Sequence, residues 1–278
     1  MFEGRKIVIA TMHGKESVIA PVLQDGIGVH CFVPENFDTD YFGTFSGEIE
    51  RTSSSIETVR AKCLTAMNCT NCDIGIASEG SFGSHPSIFF ANADEEILLF
   101  IDKKNDLEIT AREISLETNF NGSIIYTFDK LVDFANKINF PSHALILKDT
   151  ENNFSEIRKG IQSWDALKQY YIELTLKATS IYVETDMRAM YNPTRMKVIK
   201  DTAFKLLDKL NSLCPKCSTP GFSATSVVLG LNCSLCGSET KSIKSNLYSC
   251  MKCDYVSEIM FPKGKKTEDP MYCDYCNP

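Results

Sequence analysis

Eight cysteines carry the clearest chemistry in the sequence. They form four Cys-x-x-Cys pairs, Cys214/Cys217, Cys233/Cys236, Cys250/Cys253 and Cys273/Cys276, separated by 15, 13 and 19 residues. Two intervening residues let both thiolates of a pair face one metal from a tight knuckle, and a second knuckle completes a tetrahedral site. Eight ligands therefore make two closed sites for two zinc ions, with no position left for a catalytic water. Zinc is favoured over disulfides because nothing in the sequence marks a secreted chain. Cys233-Ser-Leu-Cys236-Gly and the following Cys250-Met-Lys-Cys253 read as one zinc ribbon, which pairs the first knuckle with the last. Sequential pairing is the alternative. A tail this short and polar buries little core, so metal is expected to supply much of its stability.

Three N-terminal stretches are more polar than packing requires. Thr11-Met12-His13-Gly14-Lys15-Glu16 lies between an apolar strand pattern and a helical one, where a Gly turn with a neighbouring Lys can receive a phosphate on the helix N-terminus. Glu48-Ile49-Glu50-Arg51-Thr52 precedes a helical pattern containing Glu57 and Lys62. The third, Ser78-Glu79-Gly80-Ser81-Phe82-Gly83-Ser84-His85-Pro86, follows the apolar run 73–78 and reads as a loop. Loops outside the carboxyl ends of strands are where open α/β sheets bind ligands. A carboxylate with nearby Ser and His can serve metal binding or acid–base work. A fourth polar stretch, residues 184–195, holds Glu184, Asp186, Arg188, Asn192 and Arg195. It reads either as a salt-bridged helix junction or as a place where Arg188 and Arg195 grip an anion, since guanidinium is a natural bidentate partner of phosphate.

The N-terminal pieces Thr11-Met12-His13-Gly14-Lys15, Glu57-Thr58-Val59-Arg60-Ala61-Lys62 and Ser78-Glu79-Gly80 together resemble the inosine-triphosphate pyrophosphatase superfamily. His13 stands where that family has Asn. The resemblance implies magnesium-dependent hydrolysis of a nucleoside triphosphate or a related phosphorylated small molecule. Glu57, Glu79 and Glu48 would hold Mg²⁺, with Glu57, Glu79 and Lys62 as the catalytic set. Lys15, His13, Ser81, His85, Arg188 and Arg195 would contact substrate. Over its whole length, the chain resembles an uncharacterised bacterial family joining an ATMHGKE-type N-terminus to the segment Tyr182–Met196 and a four-knuckle tail ending Cys-Asp-Tyr-Cys-Asn-Pro. That resemblance implies no activity.

The elements that must position these residues follow from periodicity. Apolar runs at 6–12, 27–33, 73–78, 96–102 and 143–148 predict strands, and 15–23, 55–68 and 128–138 predict helices. Asn105-Asp106 predicts a hairpin turn into 107–115. Ile157, Ile161, Trp164, Leu167, Tyr171 and Leu174 recur at three- to four-residue steps and predict a helix from Ser155. A second helix is expected with Asn192 as N-cap and Pro193 in its first turn. The fold class expected is α/β: a mixed sheet with helices on both faces over 1–150, a helical pair over 151–212, and a two-zinc ribbon-like module over 213–278. The polar, Gly/Ser/Thr-rich stretch 35–54 reads as a long loop. Cys31, Cys63, Cys69 and Cys72 are expected to be buried thiols. His30 is expected to be packed, and His143 carries no signal.

Composition bounds the rest. At 43% hydrophobic and 23% charged, with net charge -7, the chain reads as an ordinary globular protein. No apolar run reaches the ~18 residues needed to span a bilayer, and a cytoplasmic location is expected. The tail holds seven lysines, no arginine and six acidic residues, so its net charge is +1. This lacks the basic excess with which a nucleic-acid module neutralises phosphate. On charge, the roles for the tail rank as clamping the helical pair, binding a protein partner and, last, touching nucleic acid. The alternative to an enzyme is a non-enzymatic zinc-ribbon protein binding a protein or nucleic-acid partner.

Overall fold

Five strands and two helices of the N-terminal half build one sheet. They are β1 (Lys6–Ala10), α1 (Glu16–Ile27), β2 (His30–Phe32), α2 (Ser55–Thr70), β3 (Ile74–Ser84), β4 (Asn92–Asp102) and β5 (Leu107–Ser115). The coordinates are a computed structural model describing residues 1–35, 37, 54–88, 90–151 and 156–278. The strand order is β2-β1-β3-β4-β5. β1 runs parallel to both β2 and β3, whereas β3, β4 and β5 form an antiparallel meander. Asn105-Asp106 turns the β4–β5 hairpin as expected, with Asp106 at φ 49° and the Asp102 carboxylate accepting from the backbone N–H groups of Lys104 and Asn105.

Side-chain alternation assigns the two faces of this sheet. Val8, Ala10, Ala77, Ile97, Leu99 and Ile101 pack against Val59, Cys63, Ala66 and Met67 of α2. Gly75 admits that helix closely, because a Cβ there would lie 2.5 Å from Met67 Cγ. The alternate residues Ile7, Ile9, Ile74, Ile76, Leu98 and Phe100 are also buried, and they face the other side. α1 and a long helix, α5 (Pro193–Asn211), belong to that side: Gly26 of α1 abuts Leu207 of α5.

A second, antiparallel sheet is formed by β6 (Gly122–Ile125), β7 (Leu145–Lys148), β8 (Ile157–Ile161) and β9 (Ile181–Thr185), in the order β6-β9-β7-β8. Helices α3 (Phe128–Lys137) and α4 (Trp164–Thr175) close a core of Leu131, Phe134, Leu145, Leu147, Leu167 and Val183. Both sheets lie within one compact unit, Met1–Leu207; the second unit is Asp208–Pro278. The second unit carries β10 (Ser223–Leu229), β11 (Ile243–Ser249) and β12 (Val256–Met260), an antiparallel three-stranded sheet.

The mixed α/β class and the metal-binding tail agree with the sequence reading, but several local expectations need correction. Both expected helices after residue 151 exist, yet strands accompany them. The Ile157–Ile161 spacing suits either a helix or a strand; pairing with β7 selects the strand, and Ser163 starts the helix by accepting from Ala166 N–H. Residues 181–185, inside the span expected to be a helical pair, form the strand β9 between β6 and β7. The stretch after Ser78 is not a loop, because β4 pairs with β3 along all eleven residues of each. His30 lies exposed on the edge strand β2 rather than packed, and Cys69 is exposed near the end of α2. Residues 38–53, most of the expected loop, lie outside the described residues, and Glu48 and Glu50 with them.

Candidate functional site

The order β2-β1-β3 contains a reversal. From β1 the chain passes through α1 to β2 on one side and returns through α2 to β3 on the other. Such a switch point opens a crevice at the carboxyl ends of the two central strands. β1 stops at Ala10, opposite Ala77, while β3 continues to Ser84. The residues beyond that point are charged and buried.

On the face that α1 and α5 cover, Lys15 Nζ donates to Ser78 Oγ at 2.8 Å. Among the described residues Lys15 forms no ion pair, although it is only 6% exposed. Burial, reinforced by the cationic Arg195, brings its pKa down to about 8. Farther along, Glu96 Oε1 accepts from Arg195 Nε at 2.6 Å. Arg195 is completely buried; it also donates to the Met187 carbonyl and lies over the Phe82 ring at 5.0 Å. Asp94 shares this face, two residues before Glu96 on β4, and is 1% exposed. Neither Asp94 oxygen, nor Glu96 Oε2, has a hydrogen-bond partner among the described residues. Burial first, and the charge of Glu96 second, push the Asp94 carboxyl up to about 8.

The opposite face carries another buried cation-bearing pair. Lys62 of α2 donates to Glu79 Oε2 at 2.6 Å, with both side chains nearly inaccessible. The two faces are electrostatically joined, since Glu79 and Lys62 both act on Lys15. His13, in the turn above β1, has its pKa lowered to about 4 by burial first and then by the charges of Lys15, Arg195, Arg188 and Lys62. His13 therefore sits among four cations as a neutral ring.

The second sheet delivers the arginines. β9 leads into Asp186, whose carboxylate accepts from the Arg188 backbone and side chain and from Gly160 N–H. Asn192 then caps α5 as expected: its Oδ1 accepts from Arg195 N–H at 3.0 Å, while its Nδ2 donates to Asn119 Oδ1. Gly80 makes the Arg195–Glu96 pair sterically possible, because a Cβ at that position would lie 2.4 Å from both Arg195 Nη2 and Glu96 Oε1. A cavity of about 550 Å³ borders this region, lined among others by Asn92, Asn119, Phe120 and Thr194. Asn92 is two residues from Asp94 on β4, Thr194 precedes Arg195, and Phe120 stacks on Phe82 at 5.7 Å.

Of the residues singled out in the sequence, His13, Lys15, Lys62, Glu79, Arg188 and Arg195 thus come together around the switch point. Glu57 serves another purpose: it forms the capping box of α2, accepting from Ser54 N–H and Oγ, and is exposed. Ser81 meets Ser55 at 3.2 Å on the α2 face. His85 lies beyond the end of β3, where its Nδ1 accepts from Ser87 and Ile88 N–H groups. Sequence reasoning missed Asp94 and Glu96. The signal that could have exposed them was Asp94-Glu95-Glu96 at the head of the apolar run 97–101, where two carboxylates on alternate residues point the same way.

In the second unit the eight tail cysteines form two clusters. Cys214, Cys217, Cys250 and Cys253 make one, and Cys233, Cys236, Cys273 and Cys276 the other; within each, the four sulfurs lie within 4.8 Å of one another. The pairing is interleaved, first knuckle with third and second with fourth, so the nested arrangement expected from sequence is corrected, as is the sequential one. Cross-knuckle sulfurs approach at 3.6 Å (Cys214–Cys253), 3.5 Å (Cys217–Cys250), 3.9 Å (Cys233–Cys276) and 3.6 Å (Cys236–Cys273). A tetrahedron with Zn–S bonds of about 2.3 Å has edges of about 3.8 Å, so the sites are consistent with zinc. Three knuckles share one backbone device. The residue after the second cysteine (Ser218, Gly237, Asp254) has φ between 53° and 75°, which turns the chain back. Leu235 N–H and Lys252 N–H point at the Cys233 and Cys250 sulfurs. Around the first cluster, Phe222 packs with Tyr248 and Tyr255, and little other core exists there.

A family model described as a domain of unknown function (DUF6671) matches residues 62–278. The chain belongs to that family. The match covers the α2–β3–β4 part of the switch point, both arginines and all eight tail cysteines. No curated protein matches the chain. Among the described residues, no helix is long and apolar enough to cross a membrane.

Proposed function

We propose that the switch-point cluster is the site of a metal-dependent hydrolase acting on a nucleoside triphosphate or a related phosphorylated small molecule, and that the tail is a structural module holding two zinc ions. The observation that carries the first part is Lys15: a buried ammonium at the carboxyl end of β1 whose described hydrogen-bond partner is a hydroxyl. A buried ammonium bonded to a hydroxyl rather than paired directly with a carboxylate is costly, and a phosphate oxygen would relieve that cost. Lys62 and Arg195 add positive potential around it. The test is a thermal-shift series with nucleoside triphosphates and pyrophosphate, with and without Mg²⁺, followed by assay of phosphate or pyrophosphate release. A ligand at about 100 times its Kd should stabilise the fold by about 2.7 kcal/mol. Lys15→Met should fold and lose the shift. A shift that survives in Lys15→Met, or none with any phosphate, would refute the assignment.

A second reading has its own observation. Leu235, Met251 and Tyr275, each inside a metal knuckle, are 74%, 48% and 84% exposed, which suits a protein partner of the zinc module. A partner recovered by cross-linking should then be lost in Leu235→Asp and Tyr275→Ser while metal content is kept. Cross-linking that is indifferent to these changes would count against the reading.

A further inference from the structure

Asp94 and Glu96 are the acidic groups at the switch point with oxygens left over. Glu79 is engaged with Lys62, and Asp186 is engaged with Arg188 and Gly160 N–H. Asp94 and Glu96 instead stand on alternate residues of β4, opposite Phe82 and Gly80 of β3, so their side chains leave the sheet on the same face. They are 1% and 0% exposed, and three of their four oxygens have no hydrogen-bond partner among the described residues. Buried carboxylate oxygens are almost always satisfied, and the described residues leave these three unsatisfied. Their surroundings are Arg195 from α5, Lys15 from the turn before α1, and the Phe82 ring.

Hard oxygen donors select a hard cation. Magnesium in particular is held by one or two carboxylates together with substrate phosphates and water, rather than by a full protein cage. We infer that Asp94 and Glu96 hold a divalent cation of the Mg²⁺/Mn²⁺ class, which a phosphate group gripped by Lys15 completes. This rests on the phosphate-site reading above and assigns its cation to β4 in place of Glu57 and Glu79. It also explains the cationic neighbours. Lys15 and Arg195 disfavour a bare divalent ion, so cation and phosphate bind together, and each is weak alone.

Mn²⁺ is the probe, counted by electron paramagnetic resonance on the full chain, with and without inorganic pyrophosphate. Wild type should bind one Mn²⁺ per chain with pyrophosphate present, and at least tenfold more weakly without it. Asp94→Asn preserves size and keeps a neutral polar group beside Glu96, so it should fold, while its Mn²⁺ affinity drops tenfold or more. Unchanged affinity in that variant overturns the assignment. If wild type is stabilised by pyrophosphate but Mn²⁺ adds nothing, the cation inference falls and the phosphate reading stands. If pyrophosphate has no effect in any form, both fall. Wild type alone supplies an independent check. Fe²⁺ with ascorbate and peroxide should cleave the backbone near residues 80–82 and 94–96, and cleavage elsewhere would contradict the site.

Discussion

Interleaved knuckles make an integer prediction that no other pairing shares. Replacing both cysteines of a knuckle with serine removes half of one cluster. Structural zinc in small modules is bound with an apparent ~10–16 kcal/mol, which two remaining thiolates cannot sustain. Cys250→Ser with Cys253→Ser should therefore lower metal content from two to one per chain. Adding Cys214→Ser and Cys217→Ser should change nothing further, because all four residues belong to one cluster. Adding Cys233→Ser and Cys236→Ser instead should take the count to zero. Nested pairing would leave one metal in the latter variant and none in the former. Sequential pairing would leave none in either variant. Elemental analysis of desalted protein, normalised to chain concentration, reads all of these. The structure also separates the two losses optically. Phe222, Tyr248 and Tyr255 pack around Cys214 and Cys250, so loss of the first cluster should erase most of the module's near-ultraviolet circular dichroism. A count of zero for the first-plus-third variant, or of one for the second-plus-third, would refute the arrangement.

The buried Arg195–Glu96 pair should be costly to break and cheap to replace. Arg195→Met alone leaves Glu96 buried without its counter-ion and should cost about 3–5 kcal/mol in denaturant unfolding, whereas Arg195→Met with Glu96→Leu should recover much of that loss. Equal losses in the single and double variants would show that the pair does not act as a unit. His13 supplies a pH test. Its folded pKa of about 4 lies below its ordinary 6.5, so between these values the unfolded chain binds the extra proton. Stability should therefore fall as pH drops through 6.5 toward 4. The ceiling is about 3 kcal/mol, lowered by screening because the ring is partly exposed. His13→Asn should lose less stability than wild type between about pH 7 and pH 5, and identical losses would remove His13 from the cationic cluster.

How much was legible in the sequence follows from the range of the forces involved. The Asn192 cap, the Asn105-Asp106 turn, the apolar strands of the first sheet and the ligand identity of the eight tail cysteines are local. Each is set by residues a few positions apart, and their side-chain chemistry points to one conformation. Strand β8 was not legible, because Ile157 and Ile161 suit a helix face or a strand equally until β7 supplies a hydrogen-bonding edge. Continuation of β3 through Gly80 and Ser81 was hidden for the same reason: weak local propensity is overruled by an eleven-residue ladder with β4. The sequence named Lys15, Lys62, Glu79, Arg188 and Arg195 without saying that a switch point gathers them, since their meeting depends on which side of β1 each crossover takes. Asp94 and Glu96 drew no notice because their meaning lies in burial, and burial is a property of the packed sheet. Knuckle pairing was likewise undetermined. Any two Cys-x-x-Cys turns can close a tetrahedron, and only the path of the strands between them brings the first to the third and the second to the fourth.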